Sequence, residues 1–376
     1  MAAPDTACAT LTIDLDAIAA NYRLLRDRLV PAACAAVVKA DGYGLGAEAI
    51  AARLIGEGCR EFFVAQFEEA VSLRRSFNRS GLDAAIYVLN GLADGAERDY
   101  AESGITPVLN RLDEIDRWAA YGRTQQKELP AILHVDTGMS RLGLTPGEIP
   151  AALDPADRMQ GIDLRYVMSH LACAGEPLHP MNEEQRRLFS EILQRFGGVP
   201  GSLANSSGIF LGPQFHFSMA RPGAALYGVE PLESDSKQMQ QVVNLQGKIL
   251  QCRFIDTGQA VGYGATHRVQ RPSRIATVGA GYADGIFRSL ESRACGYIGD
   301  IRVPMVGRVS MDLVTFDVTD VPESECRPGC SIELIGPHRS IDDVAADAGT
   351  IGYEILTALG RRYRRNFSGD TTWKFT

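Results

Sequence analysis

Between about residues 32 and 230 the chain alternates short apolar runs with longer amphipathic segments. The amphipathic segments carry apolar residues at spacings of three and four, a pattern that predicts helices over residues 47–58, 67–77, 112–122 and 182–197. The apolar runs are short and rich in β-branched residues. They predict strands over residues 35–40, 62–66, 85–90, 106–110, 131–136, 164–170, 202–206 and 223–228.

The alternation of these elements predicts an α/β fold. Eight strand–helix units with a repeat of about 27 residues indicate parallel strands joined by helical crossovers. The presence of eight units favours an N-terminal (β/α)8 TIM-type barrel, with a doubly wound open sheet as the competing architecture. No GxGxxG motif follows the first strand, which speaks against a dinucleotide-binding Rossmann domain.

The pattern changes after about residue 240, where short strands and Gly-rich turns replace the helical spacing. We therefore predict a barrel domain over residues 1–240 and a mainly-β C-terminal domain over residues 241–376. The first ~10 residues of the chain are candidates to join the β domain. One helix is expected within 341–360, with Ser340 as its N-cap. The basic run RRYRRN at 361–366 is interpreted as a solvated surface.

Composition and charge exclude several classes of protein. The 376 residues are 45% hydrophobic and 22% charged, as in globular proteins, and the net charge of −8 argues against a nucleic-acid binder. No apolar run reaches the roughly 20 residues that span a bilayer, and the N-terminus lacks the features of a secretory signal. We expect a cytoplasmic protein without membrane partners. The 8 cysteines are scattered, which predicts reduced thiols and no metal site.

Polar residues collect at the predicted C-terminal ends of five barrel strands. (β/α)8 enzymes keep their catalytic groups at that end of the barrel. The residues are Lys39 and Asp41, then Asp136 and Arg141, Ser169 and His170, Asn205 to Ser207, and Arg221, which lies at or just before the predicted eighth strand.

Lys39 is the most informative of them. It follows an apolar strand and precedes a Gly-rich turn, so desolvation should lower its pKa and suit it to a Schiff-base nucleophile or a proton carrier. A lysine that snorkels from a strand end fits the pattern equally well. Segments 204–208 and 221–225 supply hydroxyls and small residues for a phosphate, or form ordinary turns. These residues indicate a barrel enzyme with a phosphate-bearing ligand and do not name its reaction.

Nine motifs in order along both domains resemble those of alanine racemases. They are AVVKADGYGLGA (36–47), HVDTGMSRLG (134–143), SHLACA (169–174), ANSSG (204–208), RPGAALYG (221–228), VGYGAT (261–266), GYADG (281–285), VGRVSMD (306–312) and SIDDVA (340–345). This family depends on pyridoxal phosphate, has a barrel followed by a β domain, and forms head-to-tail homodimers in which the partner's β domain completes each active site.

The resemblance implies two acid/base groups. Lys39 would hold pyridoxal phosphate covalently and serve as one of them, and Tyr263 from the other subunit would act on the opposite face of the substrate Cα. Racemisation requires that one group remove the α-proton and another return a proton to the far side. His170 would help to tune Tyr263. Arg221 would hydrogen-bond the pyridine nitrogen and keep it unprotonated, because a guanidinium does not give up its proton.

The remaining residues would bind phosphate and substrate. Arg141 would contact the cofactor's phenolic oxygen and the substrate carboxylate, together with the backbone amide of Met311, and Tyr282 and Tyr353 would narrow the substrate entrance. The phosphate-binding set would be Tyr43, Ser206, Gly223, Ala224 and Tyr353.

One position departs from the family pattern. Many members have a carbamylated lysine seven residues before the motif arginine, and His134 stands there in this chain. Arg141 would then be held by Asp312, by His134 or by a bound anion.

The expected activity is interconversion of L- and D-alanine, which supplies D-alanine for peptidoglycan. The alternatives are a broader or serine-preferring racemase, a pyridoxal-phosphate-binding protein without turnover, and a decarboxylase of similar architecture.

Overall fold

The computed structural model describes residues 6–155, 157–233 and 237–370. The chain divides into two compact units. Of the described residues, the barrel unit contains Ile18–Leu226 and most of Glu230–Gln238, and the β unit contains 6–17, Tyr227–Val229 and 239–370.

Short strands and helices account for most of both units. In chain order the strands are β1 (Ala9–Asp14), β2 (Ala33–Cys34), β3 (Ala36–Val37), β4 (Glu61–Val64), β5 (Ala85–Val88), β6 (Thr106–Leu109), β7 (Leu129–His134), β8 (Ile162–Met168), β9 (Gly201–Ser202), β10 (Met219–Ala220), β11 (Val243–Ile255), β12 (Ala260–Val261), β13 (His267–Arg268), β14 (Ser273–Val278), β15 (Cys295–Ile298), β16 (Ile301–Pro304), β17 (Val314–Asp317), β18 (Ser331–Ile335) and β19 (Arg364–Ser368). The helical segments are α1 (Leu15–Leu29), α2 (Lys39–Tyr43), α3 (Ala47–Gly56), α4 (Phe67–Ser80), α5 (Glu97–Ser103), α6 (Leu112–Thr124), α7 (Ile149–Leu153), α8 (Pro180–Gln194), α9 (Ile341–Ala348) and α10 (Gly352–Ala358). All are right-handed α-helices except α2, which is a left-handed turn.

The strands β2 to β10 form a closed parallel barrel. Their hydrogen-bonded order is β2-β10-β9-β8-β7-β6-β5-β4-β3. The strands β2 and β3 are separated only by Ala35 and share one position in the barrel, where β2 pairs with β10 and β3 pairs with β4. The predicted fold class, a TIM-type barrel followed by a mainly-β domain, is confirmed.

The prediction of an eighth strand at 223–228 is wrong. The eighth barrel strand is β10, and Ala224–Tyr227 forms a 3-10 helix instead. Its four residues are all buried, so the run has no polar face to reveal a helical period. Pro222, which cannot donate to a strand ladder, separates this helix from β10. Arg221 therefore follows the last barrel strand directly, as Lys39 and His170 follow theirs within two residues.

Local signals at the helix ends explain where the barrel helices begin and stop. The helix α4 begins after Gln66, which forms a capping box with Glu69, and it ends at Gly81 in a left-handed conformation. The helices predicted over 47–58, 67–77, 112–122 and 182–197 correspond to α3, α4, α6 and α8. Of the described residues, none lies in a helix long and apolar enough to cross a bilayer.

The β unit is built on one long strand. The 13-residue β11 pairs with β1, β14 and β18, and β1 also pairs in parallel with β19. Ser340 caps α9 as predicted, with its hydroxyl accepting from the Asp343 amide. The single helix expected within 341–360 is in fact two helices, because Gly349 at φ 73° ends α9 before α10 begins. All eight cysteines are free thiols.

Candidate active site

Lys39 begins a left-handed turn at the carboxyl end of β3. Ala40, Asp41, Gly42 and Tyr43 all have φ between 54° and 64°. The turn is closed by hydrogen bonds from the Gly42 amide to the Val38 carbonyl at 2.8 Å and from the Gly44 amide to the Ala40 carbonyl at 2.7 Å. Residues other than glycine rarely adopt this conformation, and each costs about 1 kcal/mol or more. Strain of this kind is typical of functional sites.

Glu69, on α4, holds this turn in place. Its Oε1 accepts from the Ala40 amide at 2.5 Å, and its Oε2 accepts from the amides of Ala65 and Gln66 at 2.8 and 3.1 Å. One carboxylate therefore caps α4 and fixes the backbone next to Lys39. The sequence analysis did not identify this residue, although the spacing Gln66-x-x-Glu69 is a capping-box signal.

The pKa of Lys39 is lowered, as the sequence predicted. Burial of the side chain is the main cause, the positive charge of Arg141 adds to it, and the negative charge of Glu69 opposes it. The amine therefore has a larger neutral fraction near pH 7 than a solvated lysine, as a nucleophile or a base requires.

Arg221 and His170 follow the barrel strands β10 and β8 and are hydrogen-bonded to each other. The Arg221 guanidinium is 4% exposed and donates to Ser202 Oγ, to the Ser169 carbonyl, and at 3.5 Å to His170 Nδ1. Because a guanidinium can only donate, Nδ1 of His170 is the acceptor, and the neutral ring carries its proton on Nε2. The His170 pKa lies well below its ordinary value because of burial and the nearby charges of Arg221 and Arg141.

Burial lowers the pKa of Arg221 to about 10. The group is therefore still a cation at neutral pH. Its charge is fixed in place by contacts at the ends of three strands, β8, β9 and β10.

Ser206, Gly223 and Tyr43 meet at the ends of neighbouring strands. Ser206 Oγ accepts from the amides of Gly223 and Ala225 at 3.0 and 3.3 Å. A Cβ added at Gly223 would overlap the Tyr43 hydroxyl, so only glycine permits this approach. Two hydroxyls and the backbone of 223–225 are thus collected in one cradle. Because Ser206 Oγ accepts from both amides, its O–H remains a donor, and hydroxyl donors of this kind suit a phosphate.

His134, the last residue of β7, is held by a residue that the sequence analysis missed. Its Nδ1 lies 2.8 Å from Asn110 Oδ1, and the Asn110 amide group donates to the carbonyls of Leu89 and Val108. Both amide hydrogens are thereby used, so Oδ1 must accept and His134 must donate from Nδ1. Burial, with the charge of Arg221, lowers the His134 pKa to about 4. Asn110 ends a predicted strand, which is the signal that could have identified it.

The loop after β7 presents Arg141 to solvent. Asp136 shapes this loop by accepting from the amides of Gly138, Met139 and Ser140 at 2.9 to 3.1 Å. Arg141 is exposed and makes no ion pair within the part of the chain that the structure describes. Neither Asp312 nor His134 forms a hydrogen bond or ion pair with it there, so its guanidinium is available to an anionic ligand.

The β unit carries the other predicted site residues, and they are exposed. Tyr263 begins the 3-10 helix Tyr263–Ala265 and is 70% exposed. Met311 and Tyr282 are 53% and 46% exposed, and Tyr353, the second residue of α10, is 38% exposed. Asp312 forms an ion pair with Arg362 at 2.7 Å. No group of three or more potential metal ligands occurs among residues 6–155, 157–233 and 237–370.

Comparisons with known proteins agree along the whole chain. Residues 13–231 match the family model described as alanine racemase, N-terminal domain, and residues 242–367 match alanine racemase, C-terminal domain. An alanine racemase of Rhodospirillum rubrum is 53% identical over 97% of each chain, and a catabolic alanine racemase of Mesorhizobium japonicum is 47% identical over 96% of this chain and 93% of its own.

Solved structures give the same result. Alanine racemase from Bartonella henselae, solved with covalently bound pyridoxal phosphate, matches with a TM-score of 0.92 and 42% identity, covering 96% of this chain and all of its own. The biosynthetic alanine racemase of Pseudomonas aeruginosa has a TM-score of 0.88 and 33% identity, covering 97% and 100%. This chain belongs to the alanine racemase family.

Proposed function

We propose that this protein interconverts L- and D-alanine with pyridoxal phosphate bound at Lys39. The observation that carries the proposal is the Lys39 turn. A lysine with a lowered pKa lies at the carboxyl end of a barrel strand, in the same unit as the buried Arg221 and as Arg141, which has no ion pair among the described residues. The family match extends over both units of the chain.

The residues present fit the cofactor. The Lys39 amine is the group that can hold it covalently, and the cradle of Ser206, Gly223 and Tyr43 offers hydroxyls for the phosphate. When bound, pyridoxal phosphate supplies an electron sink that stabilises negative charge at the substrate Cα. Ala224 and, from the β unit, Tyr353 complete the proposed phosphate-binding set.

Lys39 is the proposed acid/base on one face of the substrate. Its lowered pKa makes Nζ a competent acceptor for the α-proton near neutral pH, and the resulting ammonium can return a proton. Glu69 fixes the backbone of the turn that carries it, so the amine is positioned by a strained but well-bonded segment.

Tyr263 of the partner subunit is the proposed acid/base on the other face. A phenol with an ordinary pKa near 10 needs neighbouring donors to act as a base at neutral pH. His170, which accepts from Arg221 at Nδ1, has an Nε2 proton available for a phenolate oxygen. The high exposure of Tyr263 within its own unit supports a role that a second subunit completes.

The proposed partner is therefore a second copy of this chain. Exposed large apolar residues of the β unit include Tyr263, Met311 and Ile351, which are 70%, 53% and 60% exposed. Large apolar side chains of this kind are available to contribute to an association surface. A homodimer with shared active sites would cover them.

Arg141 is the proposed anchor for the substrate carboxylate, with the backbone amide of Met311 as a second contact. Arg141 has no ion pair within the described part of the chain, and a guanidinium binds a carboxylate through two parallel hydrogen bonds. Tyr282 and Tyr353 are proposed to narrow the entrance, which favours alanine over longer substrates.

In the cell we propose that the enzyme supplies D-alanine for peptidoglycan in the cytoplasm. Its relatives include proteins named as biosynthetic and as catabolic alanine racemases. Deletion of the gene should create a requirement for D-alanine if the role is biosynthetic.

The activity is tested with purified holoenzyme and L-alanine in D2O. We expect loss of the Cα–H signal in proton NMR together with formation of D-alanine in an enantiomer-selective assay. Exchange without D-alanine would mean that only one acid/base group works. An absence of exchange in protein that visibly binds the cofactor would overturn the proposal, and faster racemisation of serine than of alanine would replace the substrate.

A further inference from the structure

Two segments of the β unit that carry predicted substrate contacts are bonded to each other. The Tyr282 amide donates to the Ser310 carbonyl and the Ala283 amide to the Met311 carbonyl, both at 3.0 Å. A Cβ added at Gly281 would overlap the Met311 backbone, so the approach requires glycine there. The segment around Tyr282 and the segment Met311–Asp312 therefore share one local geometry.

A single side chain from a third segment binds both. Arg362 donates from Nε and Nη2 to the two oxygens of Asp284, at 2.6 and 2.8 Å, and from Nη1 to Asp312 Oδ1 at 2.7 Å. Asp284 Oδ2 also accepts from the Gly281 amide at 2.9 Å. The guanidinium thus connects the turn that bears Tyr282 to the residue that follows Met311.

The burial of these groups separates this arrangement from an ordinary surface ion pair. The Asp284 side chain is 5% exposed, whereas those of Arg362 and Asp312 are 53% and 57% exposed. Exposed pairs contribute little, but a two-point contact with a buried carboxylate is strong, and its loss leaves a buried charge without a cation. Among the described residues Arg362 is the only cation in an ion pair with Asp284.

The sequence alone gave no reason to single out Arg362. It belongs to the basic run 361–366, for which a solvated surface is the ordinary interpretation. The structure distinguishes it from its neighbour Arg361, which is exposed and has no ion pair within the described part of the chain.

We infer that Arg362 is a positioning residue for substrate binding, which holds the Met311–Asp312 segment against the turn that bears Tyr282. The inference rests on the proposed function, because it assumes that the Met311 amide contacts the substrate carboxylate. Without the guanidinium the two segments keep their backbone hydrogen bonds, but Asp312 loses its link to Asp284.

The consequence should fall on substrate binding more than on cofactor binding. The cofactor's lysine and most of its predicted contacts belong to the barrel unit, whereas Asp284 and Asp312, the hydrogen-bond partners of Arg362, belong to the β unit. Small displacements of a substrate-positioning group reduce kcat/KM by about tenfold or more. We expect Arg362→Met to raise KM for L-alanine about tenfold, with a smaller change in kcat.

The test compares the holoenzymes of Arg362→Met, Asp312→Asn, the double variant and the matched control Arg361→Met. We expect KM to rise in both single variants, the double variant to be no worse than Arg362→Met, and the control to equal the wild type. A purely structural role would lower the melting temperature without this non-additive change in KM. Additive effects, or a KM for Arg362→Met equal to that of Arg361→Met, would overturn the inference.

Two further measurements keep the outcome unambiguous. If Arg362→Met does not fold, Arg362→Lys and Asp312→Asn are measured instead. Lysine keeps the positive charge but lacks the planar guanidinium that binds Asp284 and Asp312 together, so the KM of Arg362→Lys should also rise. An unchanged KM in both would overturn the inference. Cofactor absorbance should stay at the wild-type level in every variant. Failure of the proposed function is distinguishable, because the wild type itself would then not racemise alanine.

Discussion

The barrel unit and the β unit present their predicted functional groups in different ways. In the barrel, Arg221 and His134 are 4% and 7% exposed, each is hydrogen-bonded, and the pKa of each is shifted by burial. In the β unit, Tyr263 and Met311 are 70% and 53% exposed. These two barrel groups are organised by contacts within one unit, whereas the two β-unit groups are exposed on the surface of theirs.

This difference indicates how two sets of predicted functional groups can be specified separately. Burial and fixed hydrogen bonds set protonation states and positions before any substrate arrives. Exposed side chains are positioned by the segments that carry them, which makes contacts such as that of Arg362 with Asp284 and Asp312 important. Variants of the buried barrel groups should therefore change pKa values and stability, whereas variants of the exposed β-unit groups should change racemisation with little effect on stability.

The largest expected effect tests the β unit. Tyr263→Phe removes one hydroxyl from an exposed side chain, so the protein should keep its stability and its cofactor. Loss of one general acid/base should reduce racemisation by about 10²- to 10⁴-fold, while exchange of the α-proton of one enantiomer persists. Quantifying deuterium incorporation separately from L- and D-alanine would measure this.

Tyr297→Phe, which removes the hydroxyl from another tyrosine of the β unit, is the matched control. Tyr297 is stacked on His338 and has no proposed role in the reaction. If Tyr263→Phe racemises alanine at the wild-type rate, Tyr263 is not an acid/base group of the reaction. The exposed groups of the β unit would then have no proposed catalytic member.

The next effect tests the barrel. The pKa of His134 falls from 6.5 to about 4 on folding, so the unfolded chain binds the proton more tightly between these values. Stability should therefore fall as pH falls through that window, and this residue alone should remove about 2 kcal/mol between pH 7 and pH 5. Urea unfolding of the wild type and of His134→Asn at both pH values measures the difference, because asparagine can donate to Asn110 but does not titrate.

His338 in the β unit provides a control of opposite sign. Hydrogen bonds to Glu333 and Asp300 raise its pKa, so its contribution is present below the ordinary value and is lost as pH rises through the higher one. His338→Gln should therefore leave the acid-side loss of stability in place. An equal pH dependence in the wild type and in His134→Asn would contradict the assignment of a buried neutral histidine.

Strand ends are the part of this site that the sequence reveals. Lys39 and His170 follow apolar runs that are recognisable as strands, and a barrel brings such ends together whatever the details of its packing. The prediction of the eighth strand is wrong because the apolar run 223–228 contains the buried 3-10 helix Ala224–Tyr227, and a fully buried run has no polar face to reveal a helical period. The sequence therefore put Arg221 at the wrong end of a strand while identifying it as a site residue.

Contacts between distant positions are the part that the sequence does not reveal. His134 and Asn110 are 24 residues apart, and their hydrogen bond exists because β6 and β7 are neighbours in a particular register. Glu69 reaches the Lys39 turn across 29 residues and Arg362 reaches Asp284 across 78. Local patterns identify which residues are unusual, whereas the pairing of their side chains depends on the register and packing of the folded chain.

The smallest expected effect is a change in the Lys39 pKa when Glu69 is substituted, and it tests how a barrel residue influences Lys39. Its negative charge opposes the lowering of the Lys39 pKa, so Glu69→Gln should lower that pKa further. The apoenzyme's rate of combination with pyridoxal phosphate should then reach its half-maximum at a lower pH than in the wild type, because the neutral amine forms earlier. Stopped-flow absorbance over a range of pH measures this midpoint.

Glu68→Gln is the matched control, since Glu68 is exposed and does not contribute to the Lys39 pKa. If the midpoint moves to higher pH or does not move, Glu69 acts only by fixing the backbone at Ala40, and the electrostatic half of its role is wrong.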